Sequence, residues 1–115
     1  MNDKIINLQK RINIKFKNLN NLKKSITHKS YDSFNNYEKL EFLGDRILGF
    51  VISKKLIELY PNEKEGILDK KLASLVNKNQ CLEVAKNLGL EKFVLVGNQN
   101  SNNKVENKIL ADSIE

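Results

Sequence analysis

Tryptophan is absent from this 115-residue chain, and proline, cysteine, histidine and methionine each occur once. The lone Cys81 excludes an internal disulfide and suits a reducing compartment. No apolar run approaches the roughly 20 residues needed to cross a bilayer, and Met1-Asn2-Asp3-Lys4 opens no secretory signal. No membrane partner is therefore expected. Internal repeats are missing too, and β-branched and aromatic residues never alternate with polar ones for long. That leaves a pattern that is helical throughout, on a length that suits one domain.

Positive charge is plentiful. Twenty Lys and Arg against fourteen Asp and Glu give a formal charge of +6, on a chain that is 40% hydrophobic. The balance favours an anionic partner, although lysine-rich proteins of other kinds are common. Ile5, Ile6 and Leu8 open an amphipathic segment running to about Phe16. Asn20 is placed to cap a short helix containing Leu22 and Ile26. Thr27-His28-Lys29-Ser30-Tyr31 reads as a helix end and loop. A long helix is predicted from about Asn36 to Tyr60, stopped by Pro61, with Leu40, Leu43, Ile47, Phe50 and Val51 as its core stripe. Leu68, Leu72, Leu75 and Val76 repeat the pattern in a helix starting near Glu65. Asn79 is placed to cap the next, Cys81 to Leu88, which Gly89 ends. After the polar stretch Gly97 to Asn103, a last helix is predicted from about Lys104, with Ile109, Leu110 and Ile114 on its apolar face.

The acidic residues are arranged against this background. On the long helix Glu38, Glu41 and Asp45 fall within roughly 60° of one another, opposite the apolar stripe. Asp112 and Glu115 share a face of the last helix. If the two helices pack, Glu41, Asp45, Asp112 and Glu115 converge, and carboxylates that close need a cation between them. Oxygen-only ligands suit a hard divalent ion such as Mg²⁺ or Mn²⁺ rather than zinc. The alternative is that each carboxylate is solvated on its own helix face. Phe42 projects on the acidic side, either as an ordinary exposed aromatic or as part of a partner surface.

The segment EKLEFLGDRILG, residues 38–49, closely resembles the signature of the ribonuclease III endonuclease domain. Thr27-His28-Lys29-Ser30, Tyr60-Pro61 with Glu65-Gly66, Leu72 to Asn77, and Ile109-Leu110-Ala111-Asp112-Ser113-Ile114-Glu115 resemble further blocks of that family, in order along nearly the whole chain. The resemblance implies an all-α ribonuclease III-like fold and divalent-metal-dependent hydrolysis of double-stranded RNA, leaving 5′-phosphate and 3′-hydroxyl ends. It implies Mg²⁺, replaceable by Mn²⁺, on Glu41, Asp45, Asp112 and Glu115. Glu38 and Glu65 match two further acidic positions that organise substrate, water or metal. It also implies a cytoplasmic homodimer in which Phe42 enters a partner's pocket. No histidine base is required, so His28 is assigned a packing or hydrogen-bonding role. With the six matched acids set aside, eight acidic residues remain against twenty basic ones, a cationic surround suited to a phosphate backbone. A nonenzymatic RNA-binding protein on the same fold is the alternative reading.

The sequence departs from the family pattern at Arg46, at Lys108, where serine is common, and at Asn98 to Asn103, which replace a glycine-rich loop. Residues 1–115 read as an endonuclease domain incomplete at its C-terminus, with no separate double-stranded-RNA-binding domain in this chain. Such a chain is expected to fold, to bind Mg²⁺ or Mn²⁺ weakly, and to cleave duplex RNA poorly or not at all.

Overall fold

Asparagines mark several of the helix ends in this computed structural model, which describes residues 2–97 and 105–115. The first helix, α1 (Asn2–Ile12), stops before the expected Phe16 because Asn13 adopts a left-handed conformation, φ 58°. The amide of Ile14 reaches back to the Gln9 carbonyl and that of Asn13 to Lys10, so asparagine does what glycine more often does at this position. In α2 (Leu19–Ser25) the cap is Asn18, whose side chain accepts from the Asn21 amide at 3.2 Å, and not Asn20. Asn36 receives the Glu38 amide at 3.0 Å and opens α3 (Glu38–Leu59).

After Pro61, α4 (Glu65–Val76) runs back alongside α3. The next cap is Asn77, accepting from the Gln80 amide at 2.9 Å, where Asn79 was expected; α5 accordingly covers Lys78–Asn87. Gly89, at φ 68°, ends it as predicted and leads into a single 3-10 turn, Leu90–Lys92. The last helix, α6, spans Asn107–Ile114. The loop departure at Asn98 to Asn103 and the expected start at Lys104 lie outside the described residues.

Leu8, Leu22, Ile26, Ala85, Phe93 and Leu110 represent the core, contributed by α1, α2, α5, the 3-10 turn region and α6. The prediction of helix throughout needs one small amendment. Thr27 and Leu95 form an isolated parallel bridge, with the His28 amide on the Leu95 carbonyl at 2.9 Å and the Leu95 amide on Ile26 at 2.8 Å. The Tyr37 amide then bonds the Thr27 carbonyl at 2.9 Å, so one short crossing ties the core to the start of α3.

The expected core stripe of α3 is overturned. Leu43, Ile47, Phe50 and Val51 are 51–70% exposed, and Leu56 alone among α3 residues is buried. No residue of α4 is buried either, and Leu75 is half exposed. Within this chain α3 packs chiefly on α4 and touches α6 only narrowly, which leaves these apolar positions uncovered. The radius of gyration, 15.7 Å, reflects the projecting α3–α4 hairpin; compact domains of this size come to about 13 Å. Among the described residues, no helix is long and apolar enough to cross a membrane.

Candidate metal centre

Three helices meet at one acidic point. Glu41 comes from α3, Asp112 and Glu115 from α6 and its end, and one carboxylate oxygen of each lies within 4.8 Å of the others. Packing at a glycine makes this possible. A Cβ on Gly44 would collide with the Glu115 backbone carbonyl, so the absence of a side chain there lets the end of α6 press against α3 one turn from Glu41. Asp112 is almost wholly buried, at 1% exposure, and the Glu115 side chain is nearly so at 4%; Glu41 is more open.

From α5 comes the group that sequence reading missed. Lys78 Nζ donates to Asp112 Oδ1 at 2.7 Å and to Glu41 Oε2 at 3.3 Å, and it also contacts Glu115 Oε1. Lys108, one of the departures from the family pattern, donates to the other oxygen of Asp112, Oδ2, at 2.6 Å from one turn earlier on the same helix. A local signal did exist for Lys78. It is the first residue of α5, where the helix dipole disfavours a cation, so it needed compensation from elsewhere. Nothing in the chain order says where.

The protonation equilibria follow from this crowding. Burial pushes the Glu41 carboxyl up, its hydrogen bond with Asp112 adds to that, and Lys78 opposes both. Burial likewise raises Glu115; Lys78 lowers it, while a hydrogen bond and the charge of Asp45 raise it again. Asp112 goes the other way. Burial would raise it, but hydrogen bonds from Lys108 and Lys78 outweigh the penalty and hold it below the ordinary value of 3.8. Desolvation weakens the charged form of Lys78, yet its bonds to Asp112, Glu115 and Glu41 prevail, and its pKa is raised. The Tyr37 phenol beside the cluster is raised by burial first and by the negative charge of Asp112 next. These are the marks of carboxylates forced together around positive charge.

The other expected site residues stand around this cluster. Asp45 is exposed on α3 and pairs with Arg46 at 3.5 Å, outside the three-carboxylate set, although it interacts with Glu115. Glu38, at the start of α3, and Glu65, at the start of α4, are exposed and do not join the cluster. Phe42 is 63% exposed, with the Arg46 guanidinium 3.9 Å from its ring centre. Arg46 also donates to the Phe42 carbonyl at 3.1 Å, so this departure from the family pattern lies over the aromatic ring. His28 has the hydrogen-bonding role assigned to it, with Nδ1 2.7 Å from the Ser30 hydroxyl and its ring tilted against Tyr37. Cys81 is buried, and burial followed by the charge of Glu115 raises its thiol, which makes it a poor thiolate.

A family model described as ribonuclease-III-like matches residues 18–115. The chain belongs to the ribonuclease-III-like family. The ribonuclease 3 of Pelagibacter ubique is 59% identical over 111 residues, covering 96% of this chain and 50% of that protein. A ribonuclease 3 of Coxiella burnetii is 40% identical over 110 residues, with 94% of this chain and 47% of that protein covered. The chain thus spans about half the length of the curated relatives it matches. A solved nuclease domain of ribonuclease III from Campylobacter jejuni superposes with a TM-score of 0.86 at 36% identity, over 93% of this chain and 76% of that one. The all-α ribonuclease III-like fold expected from residues 38–49 is the fold observed, and the acidic cluster sits on the two helices that carry the family's signature and final blocks.

Proposed function

We propose that this chain is the nuclease part of a divalent-metal-dependent endoribonuclease that hydrolyses double-stranded RNA, in RNA processing, to 5′-phosphate and 3′-hydroxyl ends. The observation that carries the reading is the convergence of Glu41, Asp112 and Glu115 from two helices. Their donor set is oxygen only, which fits Mg²⁺ with Mn²⁺ as a substitute, and two ammonium groups already rest on it, so the site accepts positive charge. Glu41, Asp112 and Glu115 would hold the ion, joined by Asp45, whose carboxylate interacts with Glu115. When bound, such an ion lowers the pKa of a water and neutralises charge developing on phosphoryl oxygens.

The chain's own groups do the positioning. Burial of Asp112 fixes the inner ligand, the buried Tyr37 lies beside it, and Gly44 admits the backbone of Glu115. Glu38 and Glu65 are given roles in organising substrate or water from the rim. The cationic surplus over the rest of the chain suits a duplex backbone. The Campylobacter jejuni structure is described as showing flexibility in a region involved in dimer formation. We carry a homodimer to this chain, with Phe42 as a contact because it is a large apolar ring left exposed beside the site. A cytoplasmic location goes with the same reading.

Incubating a long RNA duplex with Mg²⁺ and the chain, or its Asp45→Asn and Asp112→Asn variants, tests this. Slow, divalent-dependent cutting that leaves 5′-phosphates and disappears in both variants is the expected result. Duplex binding without cutting, indifferent to metal and to both substitutions, would instead make this a nonenzymatic RNA-binding protein on the same fold.

A further inference from the structure

We propose that Lys78 is the resident counter-cation of the carboxylate cluster, and that a divalent ion loads by displacing its ammonium group. The inference rests on reading the cluster as a metal site and adds a competitor supplied by the chain itself.

The ammonium stands at the point an ion would take. Nζ bonds Asp112 at 2.7 Å and Glu41 at 3.3 Å and contacts Glu115, the same three carboxylates that could share an ion. A cation and an ammonium cannot occupy that point together, because like charges at bonding distance repel strongly in a partly buried site. The partners also differ in which of them can move. Asp112 and Glu115 are 1% and 4% exposed and are held by the packing of α6, whereas Lys78 is 54% exposed on a flexible four-carbon stem. Exchange can therefore swing the lysine into water and leave the ligands in place. Having lysine there at all is costly. At the first position of α5 it opposes the helix dipole, and among the described residues these carboxylates are the groups paired with it.

Lys108 provides the contrast. It also neutralises Asp112, but from its own helix and through Oδ2 alone, without bridging to a second carboxylate. Removing it deletes the same charge and leaves the meeting point of the three ligands filled.

The experiment measures Mn²⁺ binding by the paramagnetic resonance signal of the free ion, and the thermal midpoint with and without Mn²⁺, for the chain and for Lys78→Met, Lys78→Arg and Lys108→Met. Lys78→Met should bind Mn²⁺ at least about tenfold more tightly than the unsubstituted chain, since no ion pairs must first be broken. Its midpoint without metal should fall, because three carboxylates then lose their shared counter-ion, and saturating Mn²⁺ should close that gap. Lys78→Arg, which keeps the charge, should bind no tighter than the original chain, and Lys108→Met should gain less than Lys78→Met. Binding of Mn²⁺ by the original chain and by Lys78→Met with equal affinity, or more weakly by the variant, would overturn the exchange while leaving the metal site standing. A Lys78→Met chain that stays unfolded even with Mn²⁺ would overturn it as well, by making the lysine a structural member of both states. If no variant binds Mn²⁺, the metal reading fails and the exchange fails with it.

Discussion

The two halves of this molecule spend their apolar residues differently. In α1, α2, α5 and α6 the stripe on each helix meets another stripe, and Leu8, Leu22, Ala85 and Leu110 are buried at 4% exposure or less. On α3 and α4 the apolar positions are less sharply segregated and meet little, so that Leu43, Ile47, Phe50 and Val51 face outward. The acidic cluster sits where the halves join, with Glu41 from the projecting hairpin and Asp112 from the core. The halves differ both in how sharply apolar positions are segregated along each helix and in the presence of a covering surface. A regular apolar stripe shows which face wants cover, and says nothing about what supplies it.

The largest expected effect compares one truncation from each half. Leu8→Ala should cost about 2–5 kcal/mol in urea unfolding, the range for emptying a packed leucine site, since Leu8 is 2% exposed. Phe50→Ala, at a side chain 70% exposed, should stay within about 0.5 kcal/mol in dilute solution. Equal losses would mean that the α3 face is covered in solution, and a loss that grows with protein concentration would identify the cover as a second copy.

Two glycines on α3 sharpen the junction itself. Gly44→Ala should destabilise by about 1–3 kcal/mol through overpacking, because its Cβ meets the Glu115 backbone, and it should weaken Mn²⁺ binding as Glu115 is pushed away. Gly49→Ala meets nothing within 4 Å and should stabilise by about 0.5–1 kcal/mol through helix propensity. Opposite signs one and a half turns apart on one helix would locate the close approach at Gly44. A neutral Gly44→Ala would mean that α6 does not press on α3 there.

The smallest effect tests the exposed turn that leads from the core into α3. Asp32 accepts from the Phe34 amide at 3.0 Å and the Asn35 amide at 2.9 Å, and these backbone bonds, Asn35 first, lower its pKa below 3.8. The folded chain therefore holds this proton less tightly than the unfolded one. Its contribution is fully present above the unfolded value and is lost as pH falls through the depressed folded value. Asp32→Asn should remove that acid-side component, so urea midpoints recorded from about pH 5 to about pH 2 should fall less steeply in the variant. Parallel curves would show that the turn does not favour the ionised form.

Much of the helical layout was legible from local chemistry. Pro61 and Gly89 end helices where their backbone constraints require, and α4 begins at Glu65 as its pattern says. The caps were harder. Asparagines two apart, Asn18 and Asn20 or Asn77 and Asn79, are equally good candidates on paper, and only the bond each first member makes to the amide three residues on distinguishes them. A left-handed asparagine leaves no mark on periodicity, so the end of α1 at Asn13 is not written in its pattern.

The candidate site divides along the same line. Glu41 and Asp45 on one helix, and Asp112 and Glu115 on another, were set in register by spacing alone, because a helix brings residues three or four apart onto one face. Sequence thus determined the all-α layout, the family and which acids share a helix face. Their meeting depended on α6 pressing against α3 at Gly44, a contact between residues far apart in the chain. Tertiary packing also left Asp45 outside the tight group and turned the α3 stripe outward. The partners of Lys78 are hidden for the same reason: it lies 37 residues from Glu41 and 34 from Asp112, and rules that act over one helical turn cannot see an ion pair closed through space.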